Sequence, residues 1–193
     1  MIKSEIRILG FDDSAFKPRS KDMVPVIGVI FRGGKFLDGL LKTEVAVDGM
    51  DSTEKIINLL HSTRHKQQLK VVMFDGITLA GFNMVDGKKI FEETGLPVII
   101  INRKMPNLTK VKRALKRFED FDSRWKVIEN AGKIKECYVK DLKKVYYQNI
   151  GINDDMAKEI IRLSCTRSYI PEPLRIAHII ATGVVRGESY GRA

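Results

Sequence analysis

A chain of 193 residues, 44% hydrophobic and 30% charged, holds enough apolar material for one packed core, and a single domain spanning 1–193 is expected. Only two cysteines occur, Cys137 and Cys165, with no CxxC pair, which argues against a disulfide framework or a cysteine zinc site and predicts a reducing, cytoplasmic setting. Neither a signal-peptide core nor a run approaching the roughly 18–20 apolar residues of a membrane span is found, while a net charge of +10 favours a polyanionic partner, of which nucleic acid is the commonest.

Residues 5–11 read as a strand ending in Asp12-Asp13, and Val24 to Phe31 as a second strand. Arg32-Gly33-Gly34-Lys35 supplies the positive φ angles of a tight hairpin, so Phe36 to Val47 returns as the third strand of a meander. Ser52 or Thr53 is expected to cap a helix to about His65, with Ile56, Ile57, Leu59 and Leu60 turned inward. Leu69 to Phe74 is apolar on both faces, as a doubly covered central strand must be, and it ends in Asp75-Gly76. A helix over 87–93 ends at Thr94-Gly95, and Pro97 to Ile101 is another central strand. Asn107 opens a helix with Leu108, Val111, Leu115 and Phe118 on one stripe. A helix near 120–130, strands near 134–139 and 143–150, a helix capped by Asn153 and a last helix starting at Pro173 complete the chain. Three meander strands followed by alternating helices and strands predict an α/β fold: a mixed sheet, part antiparallel meander and part parallel, with helices on both faces.

Two acids stand at the carboxyl ends of predicted core strands, Asp12 and Asp75. Adjacent strands would bring these hard oxygen ligands together as a Mg²⁺ or Mn²⁺ site, although an Asp-Gly at a strand end is by itself more often a plain turn. Strand alternation sends Asp12 and Asp13 to opposite faces, so only one of them reaches the site.

Four blocks carry a family resemblance. Gly10-Phe11-Asp12-Asp13-Ser14 resembles the first metal-binding strand of endonuclease V, and Val71-Val72-Met73-Phe74-Asp75-Gly76 resembles its second. Thr94-Gly95-Leu96-Pro97-Val98-Ile99 looks like the next strand of that family. The stretch Tyr169-Ile170-Pro171-Glu172-Pro173-Leu174-Arg175-Ile176-Ala177-His178 is similar to its closing motif. Together with Val47-Asp48-Gly49-Met50-Asp51-Ser52-Thr53, the match is closest to an archaeal family of endonuclease V-like proteins. The resemblance implies a ribonuclease H-like fold and divalent-metal-dependent cleavage of DNA or RNA, the alternative being a binding protein that keeps the fold without cleavage. It implies a catalytic set of Asp12, Asp51, Asp75 and His178, in which Asp12, Asp75 and Asp51 hold the metal and His178 serves as ligand or proton donor. Asp51 stands in for a family Glu before the first helix, with Asp48 and Glu54 as contenders and a helix-end charge as the plain reading. Arg103 takes the place of a family Lys beside the scissile phosphate, with Lys104 next to it, and Arg175 would hold a phosphate or buttress Asp51.

The chain departs from the family in two places. Leu41–Met50, where a base-inserting wedge would lie, has neither aromatic nor proline, and Gly81 stands where a His would follow the second Asp, with Asn83 the nearest polar replacement. Residues 103–117 carry seven cations and no acid, Lys110 and Arg113 among them, as a phosphate-tracking face or a solvated helix side. His61 and His65, spaced i, i+4, lack a visible third metal ligand, and Trp125, Tyr146 and Tyr147 are expected to be packing residues. Gly-rich phosphate loops and Ser or Cys nucleophile motifs are absent from the sequence.

Overall fold

The computed structural model describes residues 2–140 and 143–190. Strand β1 (Arg7–Asp13), β2 (Met23–Arg32) and β3 (Phe36–Ala46) form the expected meander. Gly33, at φ +57, makes the turn between β2 and β3. Helix α1 (Ser52–Ser62) leads to β4 (Leu69–Asp75), which pairs parallel to β1. A two-strand ribbon, β5 (Thr78–Leu79) and β6 (Asn83–Met84), precedes α2 (Gly87–Thr94) and β7 (Val98–Asn102). Then come α3 (Leu108–Leu115), α4 (Phe121–Asn130), β8 (Lys135–Tyr138), β9 (Lys144–Ile150), α5 (Asp154–Ser164) and α6 (Glu172–Arg186). The main sheet has seven strands in the order β3-β2-β1-β4-β7-β9-β8. Its centre, β1, β4 and β7, is parallel, and antiparallel strands flank it on both sides. This is the mixed α/β architecture that the element pattern predicted.

Strand pleating sorts side chains between two cores. Leu9 and Phe11 of β1, with Val72 and Phe74 of β4, face α1 and α2. There the Phe11 and Phe74 rings stack at 5.4 Å. Ile8, Val71 and Met73 face the other way, onto α5 and the start of α6. Gly10 and Asp12 share that second face by alternation. Val29, Ile27 and Phe31 of β2 pack under Ala177 and Ala181 of α6. Met84 joins α3 and α4 in a smaller cluster at the edge.

Several element ends differ from expectation. Ser52 and Thr53 do not cap α1; both hydroxyls donate to the Met84 carbonyl, at 2.5 and 3.1 Å, and the N-cap residue is Asp51. The hydroxyls therefore tie the helix to β6. The same helix stops at Ser62, where Thr63 turns extended, instead of running to His65. Phe118 lies beyond the end of α3 and packs against α4, and α6 begins at Glu172, with Pro173 inside its first turn. The ribbon β5–β6 went unread because two-residue strands carry no periodicity. Asn107 and Asn153 cap α3 and α5 as expected, accepting from the amides of Lys110 and Met156. Cys137 and Cys165 are free and buried, with burial pushing both thiols up. Among the described residues no helix is long and apolar enough to cross a membrane.

Candidate functional site

The register that stacks Phe11 against Phe74 places Asp12 and Asp75 next to each other one residue later, both on the α6 face. Two side chains arrive from elsewhere. His178, on α6, sets its Nδ1 2.8 Å from Asp12 Oδ2, and Arg103, just past β7, donates to Asp75 Oδ2 at 3.0 Å. Asp12 is almost wholly buried, at 7% exposure, and its second oxygen accepts the Asp13 amide at 2.9 Å. Burial and the neighbouring Asp12 charge both push the Asp75 carboxyl up. The Arg103 guanidinium and His178 oppose that rise without cancelling it. Two largely buried carboxylates facing each other suit a hard divalent cation, and Mg²⁺ commonly binds through one or two carboxylates while keeping its waters. Among the described residues no cage of three or more acidic, His or Cys ligands is assembled, so such an ion would draw its other ligands from water and substrate.

His178 is held at both ring nitrogens by groups that only accept. Its Nε2 lies 3.1 Å from the Tyr190 carbonyl while Nδ1 faces the Asp12 carboxylate. Two N–H groups are needed to satisfy both, which is the imidazolium form. The hydrogen bond to Asp12 accordingly holds the His178 pKa above its ordinary value. Tyr190, Arg186 and Thr182 line the small cleft over Asp12 and His178, a contribution of the chain's end that sequence reasoning missed.

Asp51 is not brought to this group. Lys55 Nζ lies 2.8 Å from its Oδ2, and the amides of Asn83 and Ala46 donate to it. Burial raises its pKa, but the bonds from Lys55, Asn83 and Ala46 outweigh that and hold the carboxyl below its ordinary value. The contenders are engaged elsewhere or open to solvent: Asp48 accepts the Phe82 amide and pairs with Arg117, and Glu54 is exposed in the first turn of α1. Asn83, fully buried, is a brace that joins Ser52, Ala46 and Asp51. Arg175 does not buttress Asp51 either; it forms a two-bond pair with the buried Glu172. Lys104, Lys110 and Arg113 are exposed, as a phosphate-tracking face requires. Ring nitrogens of His61 and His65 face Lys66 and Arg64. The segment 41–46 belongs to β3, and 47–50 is a turn with Asp48 at φ +55. Buried Arg124 clamps that turn through the carbonyls of Asp48, Gly49 and Phe82.

Asp13 takes the opposite face, where its Oδ2 accepts the Ala80 amide at 3.0 Å. Burial and the Asp12 charge push its carboxyl from an ordinary 3.8 up to about 7. A proton held more tightly by the folded chain stabilises it below the ordinary value, and that contribution is lost as pH rises through about 7. Asp13→Asn keeps an acceptor for Ala80 and removes the buried charge. In metal-free protein at pH 8 the variant should be more stable by on the order of 2–4 kcal/mol. At pH 4 the gain should vanish. Thermal unfolding at the two pH values in chelator checks this, and an equal shift at both would refute it.

Beside the Asp75-Gly76 turn opens a cavity of about 760 Å³, lined by Ile77, Phe82, Met84, Asn102, Leu108 and Trp125 among others. A family model described as Endonuclease dU matches residues 4–185. The chain belongs to the Endonuclease dU family. A UPF0215 protein of Methanothermobacter thermautotrophicus is 55% identical over all of this chain and 94% of its own length. One from Pyrococcus furiosus is 44% identical over 97% of this chain and 96% of its own. Among solved structures, a protein from Archaeoglobus fulgidus superposes with a TM-score of 0.83 at 32% identity, covering 96% of this chain and 99% of that one. Ciona intestinalis endonuclease V, solved with DNA containing inosine, gives 0.62 at 14% identity over 94% and 86% of the two chains. This chain thus shares the endonuclease V fold, as the four sequence blocks implied, and the archaeal UPF0215 proteins match it almost end to end.

Proposed function

We propose that this member of the Endonuclease dU family is a divalent-metal-dependent nuclease whose reaction centre is Asp12, Asp75, His178 and Arg103. The observation that carries the reading is the arrival of two carboxylates, an imidazole ring and a guanidinium from four separate elements on one face of the sheet. Asp12 and Asp75 would hold Mg²⁺ or Mn²⁺, which when bound supplies a water of lowered pKa and screens the charge of a phosphate. Arg103 can exchange Asp75 for a phosphate oxygen, for which its planar fork is shaped. His178 fixes Asp12 through Nδ1 and carries a proton that can pass to the departing oxygen. Asp51 can join the set only by giving up Lys55 and Asn83. Lys104, Lys110 and Arg113 would attract the substrate backbone, and Arg175, tied to Glu172, supports the start of α6.

The family's name points to deoxyuridine in DNA, and the cavity beside Gly76 offers a place for a base lifted out of its stack. Nothing aromatic in 41–50 is positioned to pry a paired base loose, so the reading favours substrates whose target base is already unpaired. A single assay tests the proposal: labelled oligonucleotides with uracil, inosine or no altered base, single- and double-stranded, incubated with Mn²⁺, Mg²⁺ or chelator. Cleavage that needs metal and stops with chelator is expected. Binding without cleavage of any substrate would leave the non-catalytic reading, which the engagement of Asp51 elsewhere favours.

A further inference from the structure

We infer that the outer wall made by α3 and α4 is a nucleotide subsite, where an unpaired base of the substrate strand stacks on Trp125 and the phosphates beside it lie on Lys112, Arg113 and Lys116. The inference rests on the nucleic-acid reading above but concerns residues outside the reaction centre. Helix α3 turns Val111 and Leu115 toward the Met84 cluster and leaves Lys112, Arg113 and Lys116 exposed. Between these cations and α4 runs a groove of about 490 Å³, lined by Leu108, Thr109 and Trp125 as well as the three basic residues.

Trp125 packs one edge against the Met84 cluster but stays partly exposed, and its open part lines this groove. Its ring stacks on Phe121, 6.3 Å away and 11° from parallel, and the indole N–H donates to Glu129 at 3.0 Å. The ring is thereby held in a fixed plane, and the Glu129 carboxylate is committed to it. Lys112 Nζ lies 4.7 Å over the ring, so a base that stacks on that face displaces the ammonium, which is then at hand for the base's own phosphate. Leu108, 42% exposed, lines the groove, and Met105, 57% exposed, lines the cavity beside Gly76; a merely solvated basic helix has no reason to carry such apolar side chains in the open. Leu108 and Trp125 also line the cavity beside Gly76, so the groove and that cavity adjoin. A flat aromatic face flanked by phosphate-binding cations is the arrangement that holds single strands without reading their sequence.

Trp125 is the chain's single tryptophan, so its emission reports the subsite directly. The titration uses a twelve-residue oligothymidylate, a hairpin duplex and polyglutamate, in chelator so that no cleavage occurs. Quenching by the single strand is expected, with affinity falling roughly twentyfold between 50 and 200 mM salt for three phosphate contacts. Lys112→Ala with Lys116→Ala should weaken binding about tenfold while unfolding temperature and free-protein folding stay unchanged, since both side chains are exposed. Asp75→Asn should keep the quench. An absent quench, equal quenching by duplex or by polyglutamate, or indifference to the double variant would overturn the subsite. The two readings fail separately: metal-dependent cleavage without quenching removes the subsite alone, and quenching without cleavage of any substrate removes the nuclease alone.

Discussion

Asp75→Asn is expected to lower metal-dependent cleavage by about a thousandfold while the metal-free protein stays folded. The argument is electrostatic. Asparagine keeps the shape and one acceptor oxygen but removes the charge that, with Asp12, would hold the cation. Loss of several kcal/mol of transition-state stabilisation corresponds to about 10²–10⁴ in rate. The same change relieves a repulsion, because burial and Asp12 already push the Asp75 carboxyl up. It also removes the ion pair between Asp75 and Arg103 at 3.0 Å, so the two effects on stability oppose each other and the unfolding temperature should move by only a few degrees. Asp12→Asn should be as damaging to cleavage and more so to structure, since Asp12 anchors both His178 and the Asp13 amide. Calorimetric Mn²⁺ binding separates the causes: it should disappear in both variants. Wild-type affinity in either one would refute the carboxylate pair as the metal site.

What could be read beforehand follows from how far each signal reaches along the chain. The strands β1, β4 and β7 are apolar on both faces, and only a doubly covered sheet accepts such runs, so the centre of the fold was legible. Asp12 and Asp75 were legible for the same reason, since each ends one of those runs. His178 was visible only through the family likeness of 169–178; nothing in its own spacing singles it out. Asp51 shows the limit. Its neighbours in sequence made it a helix-end acid or a ligand, and what engages it is Asn83, brought from β6 by a ribbon too short to leave a pattern. Arg175 similarly gave no sign that Glu172, three residues earlier on the same helix, would be buried to receive it. Trp125 packs against the Met84 cluster as expected, but the groove it also lines was not legible, since that groove exists only when α3 lies alongside α4.

Gly10→Ala should destabilise the protein by about 3 kcal/mol, which for a domain of this size is roughly 6–12 °C in unfolding temperature. A Cβ on Gly10 would meet Pro173 C and Cβ at 2.6 Å and Leu174 N at 2.9 Å. These are backbone and ring atoms, with no rotamer to retreat into, so α6 itself must shift away from β1. His178 lies one turn beyond Leu174 on that helix, and its hydrogen bond to Asp12 depends on the close approach. The variant should therefore also release His178, and its pKa, held up by Asp12, should fall back toward the ordinary value near 6.5. Histidine proton resonances followed against pH read this directly. Gly183→Ala is the matched control: it lies in the same helix, a Cβ there meets nothing within 4 Å, and helix propensity predicts a gain of about 0.5–1 kcal/mol with His178 unaffected. Should Gly10→Ala unfold at the wild-type temperature and leave the histidine titration unmoved, α6 would not be seated on β1 closely enough for His178 to govern Asp12.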